Sequence, residues 1–157
     1  MDDVTESLSN TVHTASDYTV NTADDVDIPP KPLYAFLDPD ADIEELKVPS
    51  KLLERYLSVM DVVLPDSRQS TCFTKAYGSY CEGTGSFLNL ADNDADPLLR
   101  YFSPREVANI MCFPKSFEFP PEMTCKQKYR LLGNSLNVFV VACLLCLLFD
   151  VKWDEIT

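Results

Sequence analysis

The longest apolar run in the chain is LNVFVVACLLCLLF, residues 136 to 149, in which Asn137 is the only polar position before Asp150 ends it. At 1.5 Å per residue such a helix is about 21 Å long, short of the roughly 30 Å hydrocarbon core of a bilayer. The pattern therefore predicts a helix buried on most of its faces rather than a membrane span. A helix apolar all round needs a layer on each side, and 157 residues offer too little of that cover. Its natural partner is expected to be an apolar surface outside this sequence.

Two further helices show amphipathic spacing. SKLLERYLSVMDVV, residues 50 to 63, follows Pro49, has Ser50 as its expected N-cap, places Leu52, Leu53, Tyr56, Leu57 and Met60 on one face, and stops before Pro65. In SPREVANIM, Ser103 is the expected cap and Pro104 suits the first helical position. Glu106 completes an S-x-x-E capping box ahead of Val107, Ile110 and Met111, and the helix must end by Pro114. Between the two lies TCFTKAYGSYCEGTGSFL, residues 71 to 88, where β-prone pieces alternate with Gly78, Gly83 and Gly85. This loop-rich stretch with strands is the best place for a surface that grips a ligand.

Residues 1 to 28 are rich in Ser, Thr, Asp and Asn, show no sustained period, and read as disordered or loosely inserted. Charge extends that division to residue 46. Residues 1 to 46 carry twelve acidic side chains against Lys31 alone, whereas residues 47 to 157 carry thirteen acidic and twelve basic ones. The net charge of −12 is thus mostly a property of an acidic, loosely ordered tail, and the rest can still present a local basic face to RNA. No basic, then apolar, leader opens the chain, so a cytoplasmic or nuclear protein is expected. Cys72, Cys81, Cys112, Cys125, Cys143 and Cys146 are then expected to be reduced thiols.

Candidate chemistry is sparse. Cys143 and Cys146 form a C-x-x-C inside the apolar run, with no second pair, and the single histidine is His13 in the tail, so core packing is expected and no metal site. The glycines of YGSYCEGTGS lack a GK[ST] and a feeding strand, which excludes a P-loop. Arg68, Lys75, Arg100, Arg105, Lys126, Lys128 and Arg130, interleaved with Tyr77, Tyr80, Tyr101 and Tyr129, suit phosphate binding and base stacking, or an ordinary solvated face. For Gly133-Asn134-Ser135 two readings stand. Asn134 or Ser135 caps the apolar helix, or the same helix N-terminus, with a glycine allowing close approach, meets a ligand carboxylate or phosphate.

Taken together, TCFTKAYGSYCEGTGSFL, LRYFSPREVANIMCFPKSFEFP and KQKYRLLGNSLNVFVVACLLCLLF resemble, in order, the C-terminal part of a cytosine carbon-5 methyltransferase. The second is similar to that superfamily's ninth conserved motif, and RLLGNSLNVFVV to its tenth. Cys72, Phe73 and Thr74 are similar to the Cys-Phe-Thr signature of the branch that methylates aspartate transfer RNA. The resemblance implies an α/β fold: the C-terminal portion of a Rossmann-like S-adenosylmethionine methyltransferase with part of its small target-recognition domain, itself mostly helical with short strands. It divides the chain into the tail at 1–46, a recognition segment at 47–102, and a segment at 103–157 that returns to the catalytic domain. In that family a cysteine attacks carbon 6 of an unstacked cytosine, the cofactor's methyl group moves to carbon 5, and elimination frees the enzyme.

By the resemblance, Asn134 and Ser135 line the methionine end of S-adenosylmethionine. Cys72, Phe73, Thr74, Lys75 and Tyr77, with Lys126 and Arg130, belong to the nucleic-acid surface, and Arg105 and Glu106 organise the domain junction. The expected partner is tRNA, aspartate tRNA first, with DNA as the alternative, and neither a membrane nor a metal. The family's Pro-Cys nucleophile, Glu-Asn-Val and Gln-x-Arg-x-Arg motifs and Gly-rich cofactor strand do not occur in this sequence. No catalytic residue is assigned, and the chain is expected to be inactive alone. A non-catalytic RNA- or protein-binding module and an unstable product with an exposed apolar helix are the other readings. Two residues depart from the family pattern, Ala76 and Cys112, each where glycine is expected. A side chain at positive φ there costs about 1 kcal/mol or more.

Overall fold

A computed structural model of the chain describes residues 29–91 and 97–150. The disorder expected of residues 1 to 28 lies outside the described residues. The fold is α/β, with short strands and five α-helices among the described residues: α1 (Ile43–Leu46), α2 (Ser50–Tyr56), β1 (Asp61–Val63), β2 (Ser86–Asn89), β3 (Leu99–Tyr101), α3 (Pro104–Ile110), α4 (Cys125–Leu132) and α5 (Val138–Phe149).

Strand β2 is central, pairing parallel with β1 and antiparallel with β3. All four of its residues are buried, and because successive side chains of a strand leave on opposite faces, Phe87 and Leu88 enter different clusters. Phe87 joins Val48, Met60, Cys81 and Leu99, covered by Leu52, Leu53 and Tyr56 of α2. Leu88 joins Leu33, Phe73, Tyr77, Phe102, Val107, Ala108, Tyr129 and Leu132, so this larger cluster draws on residues from before β1 to the end of α4.

Residues 29–46 of the expected acidic tail are held on the core rather than loose. Leu33 and Leu46 are buried, Leu33 N–H donates to the Ser67 carbonyl, and the Asn109 amide donates to the Phe36 carbonyl. The physical reason is the apolar cluster LYAFL, which charge counting over the whole tail obscured.

Helix α3 forms as its capping box predicts: Ser103 Oγ accepts from Glu106 N–H at 3.1 Å, and Glu106 Oε2 accepts from Ser103 N–H at 2.7 Å. The helix expected at 50–63 is shorter. It leaves α geometry after Tyr56, passes through a 3-10 turn at Leu57–Val59 and becomes β1, where the β-branched pair Val62-Val63 pairs with β2. Ser50 is its first helical residue and makes no capping hydrogen bond; Pro49 precedes it. Helix α4 was not anticipated, although Thr124 and Gln127 form a second reciprocal capping box, which was its legible signal.

Helix α5 is capped by Asn137, whose Oδ1 accepts from Val140 N–H at 3.1 Å, not by Asn134 or Ser135. Gly133 instead terminates α4, with Gly133 N–H donating to Tyr129 and Ser135 N–H to Leu132. Neither Asn134 nor Ser135 sits at a helix N-terminus, and that correction places them at the negative, C-terminal end of α4. None of the α5 side chains is buried; Leu147 is 78% exposed and Leu148 74%. The helix is fastened at its start, where Val138 N–H donates to the Met111 carbonyl and Asn137 Nδ2 to the Ile110 carbonyl. Among the described residues no helix is long and apolar enough to cross a membrane.

Candidate functional site

The two motifs that the sequence separates by nearly sixty residues meet in space. A Cβ built on Gly133 would lie 2.0 Å from Lys75 N and 2.1 Å from the Thr74 carbonyl carbon, so the Cys-Phe-Thr loop rests directly on the glycine that ends α4. Gly133 is in αR geometry at φ −70°, so what it supplies is absence of bulk, not a left-handed turn. The close approach anticipated for a ligand is taken by this chain's own backbone.

Beneath the loop, Phe73 and Tyr77 are core residues, and this corrects the expectation that both touch nucleic acid. Tyr77 is 1% exposed, and its hydroxyl donates to the Ser86 carbonyl at 2.7 Å and accepts from Phe102 N–H at 2.9 Å. Tyr129, also buried, donates to the Phe102 carbonyl at 2.5 Å. Both sides of the Phe102 peptide are therefore satisfied by phenols, and the rings meet edge to face, Tyr77 with Phe73 at 5.0 Å and with Tyr129 at 4.9 Å. Burial pushes both phenols well above their usual range, so both stay protonated. These rings cannot stack on bases; they make the loop rigid.

The expected site residues that do reach solvent are Cys72, Lys75, Lys126, Arg130 and Asn134, with Thr74 and Ser135 half-buried. Lys126 and Arg130 are four apart on α4 and share its outer face. Neither they nor Lys75 form an ion pair among the described residues, which leaves three cations free, Lys75 at the Thr74–Gly133 contact and Lys126 and Arg130 along α4. The Asn134 carboxamide makes no hydrogen bond among the described residues, and Ser135 Oγ has only a 3.3 Å bond to the Leu136 carbonyl.

Other members of the basic set are committed elsewhere. Arg100 is buried and forks onto Glu106, with Nη1–Oε2 and Nη2–Oε1 both at 2.7 Å. Arg105 donates to the Phe117 carbonyl, Arg68 to the Pro30 carbonyl, and Lys128 lies 5.5 Å from the centre of the Phe119 ring. Glu106 Oε1 also accepts from Asp38 N–H at 3.1 Å, which ties the segment before α1 to the start of α3. Cys143 and Cys146 are half-buried on α5, not core. Tyr80 is the tyrosine of the loop left outside, 69% exposed; its signal in sequence was its place between Gly78 and Gly83.

Comparison with known proteins shows which family the chain resembles. The family model for C-5 cytosine-specific DNA methylase matches residues 14–146. The chain is 41% identical over 160 residues to the Homo sapiens tRNA (cytosine(38)-C(5))-methyltransferase, covering 88% of this chain and 41% of that protein. It is 46% identical over 112 residues to a DNA (cytosine-5)-methyltransferase of Dictyostelium discoideum, covering 65% of this chain and 30% of that one. Among solved structures, the S. pombe Dnmt2 methyltransferase superposes with a TM-score of 0.73 at 37% identity over 76% of this chain and 42% of that chain. The chain spans about two fifths of the length of the tRNA methyltransferases it matches.

Proposed function

The chain belongs to the C-5 cytosine-specific DNA methylase family, and on that premise we propose that it is the C-terminal portion of an S-adenosylmethionine-dependent tRNA cytosine-5 methyltransferase that acts on aspartate tRNA. The observation that carries this reading is the seating of the Thr74–Lys75 backbone on Gly133, which joins the Cys-Phe-Thr loop to the Asn134–Ser135 turn. RNA-gripping and cofactor-holding residues then form one surface.

The donor set fits the methionine end of S-adenosylmethionine: an uncommitted carboxamide at Asn134 and a weakly engaged hydroxyl at Ser135 suit an amino-acid head group. Bound there, the cofactor supplies an electrophilic methyl group. Lys75, Lys126 and Arg130 neutralise tRNA phosphates, and Cys72 and Thr74 present the loop edge to the nucleotide chain. None of the six cysteines follows a proline, so the attacking thiolate is assigned to residues beyond these 157 and the chain alone is expected to be inactive.

The test is transfer of labelled methyl from S-adenosylmethionine to aspartate tRNA and to a DNA duplex, by the chain alone and with the N-terminal segment of the S. pombe relative supplied in trans. Transfer to tRNA only in the combined reaction is the expected result. Activity of the 157 residues alone would overturn the division of labour, and preference for DNA would favour the substrate class named for the Dictyostelium relative.

The three unpaired cations favour a second reading, a non-catalytic RNA-binding module. It predicts salt-sensitive RNA binding by the isolated chain that Lys126→Glu with Arg130→Glu abolishes. Binding unchanged by that double reversal would exclude it.

A further inference from the structure

On the side of the loop formed by residues 78–84 lies a cleft of about 570 Å³, closed on its other wall by Leu52 and Tyr56 of α2 and at its end by Tyr101. Its lining is more apolar than polar, its volume falls in the range of small-ligand sites, and three tyrosines meet there. Tyr80 stands at the rim, largely exposed.

Its presentation is rigid. Gly78 at φ +76° and Gly83 at φ +63° turn the chain on either side of Tyr80, and Tyr80 N–H donates to the Ala76 carbonyl at 3.2 Å. The buried Thr84 hydroxyl donates to the Tyr80 carbonyl at 2.8 Å, so this aromatic ring is held in water by a backbone that cannot easily fold it inward. Holding an exposed aromatic in place lowers the ordering cost of stacking a partner on it.

We propose that this cleft holds an unpaired nucleobase of RNA carrying an exocyclic amine, stacked on Tyr80, with the Glu82 carboxylate accepting from that amine. A flat, half-apolar slot with aromatic walls is the surface on which unstacked RNA bases are read. A lone carboxylate at its edge accepts from the exocyclic amine of cytosine, adenine or guanine, whereas uracil offers it a single N3–H flanked by two carbonyl oxygens that repel it. The guanidinium of Arg55 lies 5.1 Å from the centre of the Tyr56 ring, at the α2 wall, where it can meet the nucleotide's phosphate. Tyr101, whose phenol is pushed up to about 12 by burial and by the neighbouring Cys81 thiol, stays neutral and adds no repulsion. The inference rests on the RNA-methyltransferase reading but is tested apart from it.

The probes are CMP, AMP and UMP, titrated into the full chain while the ring signals of Tyr80 and Tyr101 are followed by NMR. CMP and AMP are expected to shift both rings, UMP much less. Tyr80→Ala, at an exposed position, weakens CMP binding about tenfold or more, and Glu82→Gln, which can both donate and accept, erases the discrimination against UMP. Silence of both rings toward every nucleotide, shifts indifferent to Tyr80→Ala, or occupation of the cleft by a leucine-bearing peptide in place of nucleotides would overturn the proposal. Aspartate tRNA that fails to bind while CMP still fills the cleft would refute the tRNA reading and uphold the subsite.

Discussion

Arg100 at the middle of β3 and Glu106 in the first turn of α3 form a two-pronged ion pair, both N–O distances 2.7 Å, with 4% and none of their surfaces exposed. Glu106 also accepts from Ser103 and Asp38 N–H groups, so one carboxylate ties the sheet, a helix start and the segment before α1. Removing one partner of a buried pair strands the other's charge. Arg100→Met is expected to destabilise by about 3–5 kcal/mol, whereas the double change Arg100→Met with Glu106→Gln recovers part of that loss. Urea denaturation of the three proteins measures it; a single variant as stable as the parent would refute the role.

Gly133 admits no side chain while the Thr74–Lys75 backbone lies where its Cβ would be. Gly133→Ala must push the loop off α4, at a cost near the top of the roughly 1–3 kcal/mol typical of overpacking. The expected signature is a lower denaturation midpoint together with weaker RNA binding. Loss of stability without any change in binding would separate the packing from the function.

Cys112 is left-handed at φ 60°, whereas Ala76, the other glycine replacement, is not. Cys112→Gly is therefore expected to raise stability by about 1 kcal/mol, and Ala76→Gly to raise it not at all. Thermal melting of the two variants side by side checks the contrast.

Alkali should unfold this protein through its tyrosines. Tyr77, Tyr101 and Tyr129 all have phenols raised above the ordinary value near 10, first by burial, with Tyr101 at about 12. Between those values the unfolded chain has already lost protons that the folded chain keeps, so stability is full below about pH 10 and falls as pH rises. Tyr101→Phe is expected to make that fall less steep between about pH 10 and 12 while leaving its onset in place, measured by denaturation midpoints across pH 9 to 12. An unchanged slope would assign the alkaline loss to Tyr77 and Tyr129 alone.

How much was legible in the chain differs by feature. The capping box of α3 is local, four residues closing on one another, and it formed as written. The uncovered α5 was equally legible, because a run apolar on every side has no polar face to give water, and nothing else in the described chain buries it. The end of α2 was not. Leu57 to Val63 continue a helical period, and only pairing of Asp61–Val63 with Ser86–Leu88 turns that stretch into a strand.

The same division runs through the site. Sequence alone determined the family, through the order of three motifs, and the polar residues available to it, since these are matters of residue type and spacing. Only the tertiary structure decided which of them face outward. Tyr77 and Tyr80 are three residues apart in one loop and look alike in sequence, yet Tyr77 satisfies the Phe102 and Ser86 backbone in the core and Tyr80 stands in solvent. Likewise Gly133 reads as a helix start and is a helix end, because its role is set by the Thr74–Lys75 backbone that crosses it. Residue type states what a group can do; burial and the contacts that remote segments make decide which of those capacities is left over for a ligand.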